Sequence, residues 1–347
     1  MTSLFDYSST VNQLLTGQSL SYDVTHQAFS ALLQGHLTPA QIAGLLVALR
    51  AKGETVDEVA AAAHVMRELV TPVQLPESLS LLDLCGTGGD GAHTFNISTA
   101  CMFVLAAAGV HVAKHGGRSV SSSSGSADVL EALGVNINLK PEQVAQSILR
   151  LNVGFMFAPN HHSAMRHAAP VRKELGVRTV FNLLGPLTNP AHAKRQLMGV
   201  YSPHLLNLQA QVLARLGSVR ALIVHGENGM DELSIEGPSM VAELKNGQIT
   251  HYTLTPESVG LTRSSHDALH AQTVDESKTK VLQVLQGHKG GATDIVLLNS
   301  AAGLYLADQV DSIAEGVAQA RSLIESGAAL NTLHELVKFT QQASHHE

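Results

Sequence analysis

From Leu79 onward, short apolar runs alternate with glycine-punctuated helical stretches, and this alternation restricts the chain to α/β architectures. The runs are LLDLC (81–85), VHVAK (110–114), VGFMFA (153–158), RQLMGV (195–200), RALIVHG (220–226) and DIVLLN (294–299). Each is short and apolar enough for a strand buried in a sheet. A Pro-containing, largely helical passage between Arg166 and Pro190 interrupts the alternation, so it is expected to pack on other helices rather than on the sheet. From about 311 to 342 the pattern is helical again.

The segment before Leu79 reads differently. Thr38-Pro39-Ala40-Gln41 has capping-box spacing with Pro at the first helical position, and Ile42, Leu45, Leu46 and Leu49 follow on one face before Gly53. A helix over 39–52 is predicted. Thr55 with Glu58 repeats the capping signal ahead of the Val59, Ala62, Ala63, Met66 and Leu69 stripe, which ends before Pro72. Val24, Ala28, Phe29, Leu32 and Leu33 ahead of Gly35 mark an earlier helix. The expected layout is a small helical domain (1–74), joined by the interposed segment at about 166–195, and a larger α/β domain (75–347) with a central mixed sheet flanked by helices.

Composition narrows the function classes. The 347 residues carry a net charge of −7 with basic residues scattered along the chain, which argues against a nucleic-acid surface. No apolar run is long enough for a membrane span, and MTSLFDYSST lacks the pattern of a secretory signal. The expectation is a cytoplasmic protein with no membrane partner. Cys85 and Cys101 lie in apolar surroundings without C-x-x-C spacing and read as core residues. An anionic ligand would therefore meet local positive potential: a few Lys and Arg, helix-start N–H groups, or a bound cation.

Gly86-Thr87-Gly88-Gly89-Asp90-Gly91 follows the first strand and satisfies G-x-G-x-x-G. A dinucleotide fold would also need a helix opening inside the loop and an acid at the end of the next strand. Here the next strand ends in Lys114-His115, and the helix opens near Asn96-Ile97-Ser98-Thr99. The alternatives are a tight structural turn or a strand-to-helix loop with N–H groups bared for phosphate oxygens. A second strand-to-helix loop runs from Lys114 to Asp128, with two cations, several glycines and six serines between 114 and 126. That is poor core material, and it implies a second anion site, although Ser126 could simply cap the helix. Two such loops on neighbouring strands suit a ligand with phosphate at both ends, such as phosphoribosyl diphosphate.

Asp231-Glu232 follows the strand around Leu222–Val224 and a glycine turn, and adjacent carboxylates there can hold Mg²⁺ while substrate phosphates complete the shell. An isolated pair of this kind is more often a solvated turn, but two anion loops change the balance. Arg172 could clamp a substrate carboxylate; on sequence alone, a surface salt bridge is the plainer reading. His161, His162 and His167 match no zinc pattern and read as polar surface or pocket wall.

Taken in order, these segments resemble the anthranilate phosphoribosyltransferase family, within the fold family it shares with the pyrimidine nucleoside phosphorylases, across nearly the whole length. The matching stretches are 86–90, 96–99, Lys-His-Gly-Gly-Arg-Ser-Val-Ser-Ser at 114–122, Val171 to Pro190, and Asp231-Glu232. The resemblance implies the helical and α/β domains just described, a cleft between them, a homodimer, and a phosphoribosyl transfer to anthranilate in tryptophan biosynthesis. It implies that phosphoribosyl diphosphate is met by Gly86, Gly89, Asp90, Thr94, Asn96, Ile97, Ser98, Thr99, Lys114, His115, Gly116, Gly117, Arg118, Ser119, Val120, Ser121, Ser122 and Ser126. Ser98, Asp231 and Glu232 would serve two Mg²⁺ ions; Lys114, Asp231 and Glu232 would carry the catalysis; Gly86, Gly117 and Arg172 would meet anthranilate.

Two positions depart from the family pattern. Gly117 stands where an Asn usually faces anthranilate, so a water or a neighbour such as His162 would have to substitute; Ser123 stands where a basic residue is common. Rival readings are a transferase for another aromatic amine, a nucleoside phosphorylase using one free phosphate, and a silent nucleic-acid-binding relative. Asp231-Glu232 and the 96–99 segment oppose the second, and the charge of −7 opposes the third.

Overall fold

The computed structural model describes residues 5–118 and 124–343. Four helices open the chain: α1 (Tyr7–Leu15), α2 (Tyr22–Leu33), α3 (Pro39–Lys52) and α4 (Val56–Glu68). Both capping boxes form. Thr38 N–H donates to Gln41 Oε1 at 2.9 Å and Gln41 N–H to Thr38 Oγ1 at 3.3 Å, while Thr55 and Glu58 exchange the same pair. Each cap is worth about 1 kcal/mol. Glu58 is also buried, where it accepts from Leu20 N–H and pairs with Lys52 at 2.9 Å, tying the loop before α2 to the start of α4.

Seven strands form one mixed sheet: β1 (Leu81–Gly86), β2 (His111–Gly116), β3 (Val153–Phe157), β4 (Arg195–Gly199), β5 (Arg220–Gly226), β6 (Ser239–Lys245) and β7 (Gln248–Leu254). The order is β3-β2-β1-β4-β5-β6-β7, parallel through β5 and antiparallel after it. Helix α5 (Ile97–Ala107) crosses from β1 to β2, and α6 (Ser126–Ala132) and α7 (Pro141–Leu151) lie between β2 and β3. The parallel strands thus send their C-terminal ends, and the loops that leave them, to one edge of the sheet, where open α/β sheets bind ligands.

Period-two alternation splits the strands between two cores. Leu197, Leu222, Val224 and Val241 pack with α5 and the helix Gly291–Leu306. Met198, Ala221, Ile223 and Ala242 face the other way and join Phe29, Leu45, Leu46 and Leu49 of the N-terminal helices. Val171, Phe181 and Leu184 of the interposed passage belong to this second core.

Two expectations are corrected. DIVLLN is not a strand: residues 294–299 lie inside the helix Gly291–Leu306, whose residues 295–304 are all buried. A helix wrapped by core on every side is apolar all round, so its short runs carry no period to distinguish them from strand. Conversely, the β6–β7 hairpin was missed, although Asn246-Gly247 between them is a strong turn signal; both residues have positive φ, 52° and 76°. Among the described residues, no helix is long and apolar enough to cross a membrane.

Candidate active site

At the C-terminal edge of β1, Gly86 opens a loop in which Gly88, Gly89 and Gly91 take φ of 66°, 70° and 73°, the left-handed region that favours glycine. The loop turns its backbone toward the segment after β5. Gly88 N–H donates to Asp231 Oδ2 at 2.8 Å, and Asp231 N–H donates to Asp90 Oδ2 at 3.3 Å. A Cβ on Gly86 would collide with the Asp231 carboxylate, and one on Gly199, at the end of β4, would collide with the Asp231 backbone. These glycines are what let the 231 segment lie directly on β1 and β4.

The Asp231 and Glu232 carboxyls are both pushed well above the ordinary carboxylate range. Burial is the main cause, followed by repulsion from Asp90 for Asp231 and from Asp231 for Glu232. The Lys114 cation and the Ser98 backbone N–H oppose the rise at Glu232. Lys114 itself is 2% exposed, its Nζ donating to Leu84 O at 2.5 Å and Ser98 Oγ at 3.0 Å. Asp90, Ser98, Lys114, Asp231 and Glu232 therefore form one connected polar group drawn from the β1 loop, the start of α5, β2 and the β5 loop. With three crowded carboxyls and a single buried cation, full ionisation requires a further positive charge, and the available donors are all hard oxygens. Such a group fits Mg²⁺.

The start of α5 is held open by neighbours. Asn96 is its N-cap residue without a side-chain cap; its Oδ1 accepts instead from Ser277 Oγ and Ser124 Oγ, each at 2.8 Å. Ile97 and Thr99 are fully buried. Thr94 bridges to His270. On the second loop, a Cβ on Gly116 would collide with Ser126 Oγ. Ser126 does not cap α6: Gly125 is the N-cap, with its N–H donating to Asp128 Oδ2 at 2.9 Å. Arg118 is exposed and pairs with Asp128 at 2.9 Å and Glu131 at 2.5 Å. The expected contacts at Ser119, Val120, Ser121 and Ser122, and the departure at Ser123, lie outside the described residues.

Arg172 is not in a surface salt bridge. Its guanidinium stacks 5.1 Å from the Phe181 ring centroid, half-buried, with no carboxylate partner among the described residues. His161 and His162 are buried rather than surface groups, and the His115 and His162 rings lie 5.0 Å apart with both Nε2 atoms lacking a partner among the described residues. Burial, with neighbouring histidines adding to it, drives His115 well below the usual imidazole range, and burial holds His162 down to about 4. Both are neutral at pH 7.

The unfolded His162 takes a proton near pH 6.5, while the folded one resists until about pH 4. The unfolded state thus binds more protons in that window, and stability is lost as pH falls through it, by about 3 kcal/mol for His162 alone. Urea midpoints at pH 7.5 and pH 5 should diverge less in His162→Gln than in the natural chain. Equal divergence would refute the assignment.

Sequence reasoning missed four positions. Ser277 anchors Asn96 from the helix Val274–Leu285; Thr87 accepts from Tyr201 N–H at 3.1 Å; Gly199 admits the Asp231 backbone; and Arg178 donates to Gly89 O while lying 3.9 Å over the Tyr201 ring. All four are supports whose partners are distant in sequence. Only Arg178, a further cation in the interposed passage, offered any signal.

The pattern of the glycosyl transferase family a/b domain matches residues 78–330, and that of its helical bundle domain matches residues 8–70. The anthranilate phosphoribosyltransferase of Laribacter hongkongensis is 54% identical over 98% of this chain and 99% of its own. The crystal structure of anthranilate phosphoribosyltransferase from Thermus thermophilus superposes with a TM-score of 0.90 at 47% identity, covering 96% of this chain and 99% of that one. Anthranilate phosphoribosyltransferase from Saccharomyces cerevisiae, solved in complex with PRPP and Mg, gives 0.87 at 30% identity, covering 97% and 98%. With both domain patterns matched and relatives aligned over nearly its full length, the chain belongs to the anthranilate phosphoribosyltransferase family.

Proposed function

We propose that the edge of the sheet bearing Gly86–Asp90, the start of α5 and Asp231-Glu232 is where this enzyme transfers the phosphoribosyl group of 5-phosphoribosyl 1-diphosphate to the amine of anthranilate. The products are N-(5-phosphoribosyl)anthranilate and diphosphate, a step of tryptophan biosynthesis. The observation that carries the assignment is the carboxylate cluster beside the bared glycine loop. Asp231 and Glu232 are costly to bury together as anions, and a multiply anionic diphosphate leaving group would only add repulsion unless a cation came with it. Asp231, Glu232 and the Ser98 hydroxyl would hold Mg²⁺, two ions per subunit in this reading. When bound, Mg²⁺ supplies charge neutralisation for the departing diphosphate.

The remaining chemistry rests on the chain's own groups. The Gly86–Asp90 loop and the backbone at the start of α5 bind the diphosphate, while Lys114 fixes the Ser98 hydroxyl and balances Glu232. The second glycine loop, from Lys114 to Ser126, takes the phosphate end. The transition state resembles the cation of glycoside cleavage, and an aromatic amine is already neutral at physiological pH, so no general base is needed for the attack. The acidic N–H proton left after the C–N bond forms and the C–O bond to diphosphate breaks passes to the diphosphate or to water. Positioning and charge stabilisation supply the rate. Arg172, whose guanidinium meets no acid among the described residues, would pair with the anthranilate carboxylate. Gly86 and Gly117 would line the same subsite, and the neutral His115 and His162 would present Nε2 atoms nearby. In this reading the helical part (1–74, with about 166–195) and the α/β part (75–347) form the two walls, and the helical part also carries a homodimer contact.

Gly117 bears on acceptor affinity. No atom of the described residues lies within 4 Å of a Cβ built there, and its φ is not in the left-handed region, so the backbone accepts an Asn. Gly117→Asn should leave stability within about 0.5 kcal/mol and lower KM for anthranilate by roughly five- to tenfold, the value of one added hydrogen bond. Steady-state kinetics at saturating phosphoribosyl diphosphate would show it; an unchanged or raised KM would remove Gly117 from the acceptor subsite.

The test of the whole reading is the fluorescence of anthranilate mixed with phosphoribosyl diphosphate and the protein, with and without Mg²⁺. A Mg²⁺-dependent loss of fluorescence is expected. No change, with diphosphate still released when other aromatic amines are offered, would reassign the acceptor; no diphosphate release with any amine would overturn the site.

A further inference from the structure

Away from the cleft, α2 and α4 pack side by side and bring together His26, His64 and Glu68, the only group among the described residues whose ligand atoms all lie within 4.8 Å of one another. His64 and Glu68 are four residues apart on α4, hence on one face, and His26 reaches across from α2. His26 Nε2 lies 3.2 and 3.1 Å from the two Glu68 oxygens, and His64 Nε2 lies 3.5 Å from Glu68 Oε1. In a tetrahedral zinc site with bonds of about 2.0–2.1 Å, ligand atoms stand roughly 3.3 Å apart. The two nitrogen-to-oxygen edges already have that length. The nitrogen-to-nitrogen edge needs only side-chain rotation, which these partly exposed side chains allow.

The second observation concerns the far side of His64. Its Nδ1 faces the Tyr22 hydroxyl oxygen, one turn before His26 on α2, and with Nε2 left for an ion the Nδ1–H donates to that oxygen. Metal-binding imidazoles characteristically use their second nitrogen in this way, which fixes the ring and leaves Nε2 for the ion. Arg215 lies 5.1 Å from the Tyr22 ring centroid, but its charge is paired with Asp57. The donor set also differs from that of the cleft: two imidazoles and one carboxylate select a late first-row ion, whereas the cleft's oxygens select Mg²⁺.

We propose that His26, His64 and Glu68 bind one Zn²⁺, with water in the fourth position, and that the ion clamps α2 to α4. Such a site adds stability to the helical part by mass action, because the unfolded chain holds the ligands apart. It takes no part in phosphoribosyl transfer.

The test uses the full-length, untagged protein, stripped with EDTA and then held in excess Mg²⁺ so that the oxygen sites are filled. ZnCl₂ is titrated by calorimetry, and CoCl₂ is followed by visible absorption. One Zn²⁺ per chain with micromolar or tighter affinity is expected, together with the intense visible bands of four-coordinate Co²⁺. Tyr22→Phe should weaken binding about tenfold, and His26→Ala and His64→Ala by more, while transferase turnover in Mg²⁺ stays at the natural level in all three. Saturating Zn²⁺ should raise Tm by about 5 °C in the natural chain and not in the His variants. Absence of saturable binding at roughly 100 µM Zn²⁺, or binding undiminished in both His variants, would overturn the site. Neither outcome touches the transferase reading.

Discussion

Replacing Asp231 by Asn and Glu232 by Gln in one variant is expected to lower kcat by about 10³-fold or more while raising the stability of the Mg²⁺-free protein. The two effects have one cause. Both carboxylates are held well above their ordinary range, so the folded chain retains protons that the unfolded chain releases. A raised acid pKa means stability is lost as pH climbs from the unfolded value to the folded one, and the cost is complete once pH exceeds the folded value. The amides keep the shape and the Gly88 contact region but remove the repulsion, so Tm in EDTA at pH 8 should rise by several degrees. Mg²⁺ should then raise Tm of the natural chain and leave the variant unmoved, because the mass-action gain requires the ligands. A variant that turns over normally with Mg²⁺ would sink the metal assignment. One that loses both activity and stability would mean that the pair holds the loop together and is not a cation site awaiting its ion.

Why the cluster is costly and yet built this way was only partly legible in the sequence. The strand-to-helix glycine loops at 86–91 and 116–125 could be read because a parallel strand, its loop and its helix are consecutive in the chain. The helices at 39–52 and 56–68 could be read for the same reason, since Thr38 with Gln41 and Thr55 with Glu58 are local signals. That Asp231 would rest on Gly86 was not legible: it depends on β4 lying between β1 and β5, and on the β5 loop folding back over β4. DIVLLN failed in the opposite way. Burial on all sides of Gly291–Leu306 erased the helical period, and only the packing of that helix between α5 and the sheet explains its composition. Arg172 shows the same limit at a single residue. Its charge suggested a surface pair, and only the fold reveals a guanidinium lodged on Phe181 with no acid in reach among the described residues.

Gly199→Ala should be among the most damaging single-methyl additions in the molecule. Gly199 ends β4, and its carbonyl accepts from Thr87 N–H at 3.0 Å, so its backbone is fixed on one side by the glycine loop. On the other side a Cβ would fall inside the Asp231 carbonyl and within 2.9 Å of the Asp231 Cα. Both obstacles are main chain, so no rotamer change relieves them, and either β4 or the 231 segment must move. Overpacking of this kind costs about 3 kcal/mol, at the upper end of the usual range, or roughly 6 °C in Tm for a chain of this size. Because the displaced segment carries Asp231 itself, a shift of about 1 Å should also cost on the order of 10²-fold in kcat/KM. Gly117→Ala, with no described atom near its Cβ and an ordinary φ, is the control for stability alone and should move it by less than about 0.5 kcal/mol. Thermal melts of the two variants side by side and Mg²⁺-dependent turnover of Gly199→Ala decide the matter. If Gly199→Ala melts with the natural chain and keeps its turnover, the close approach of β4 to Asp231 is not what places the carboxylates, and the role assigned to the 231 segment falls with it.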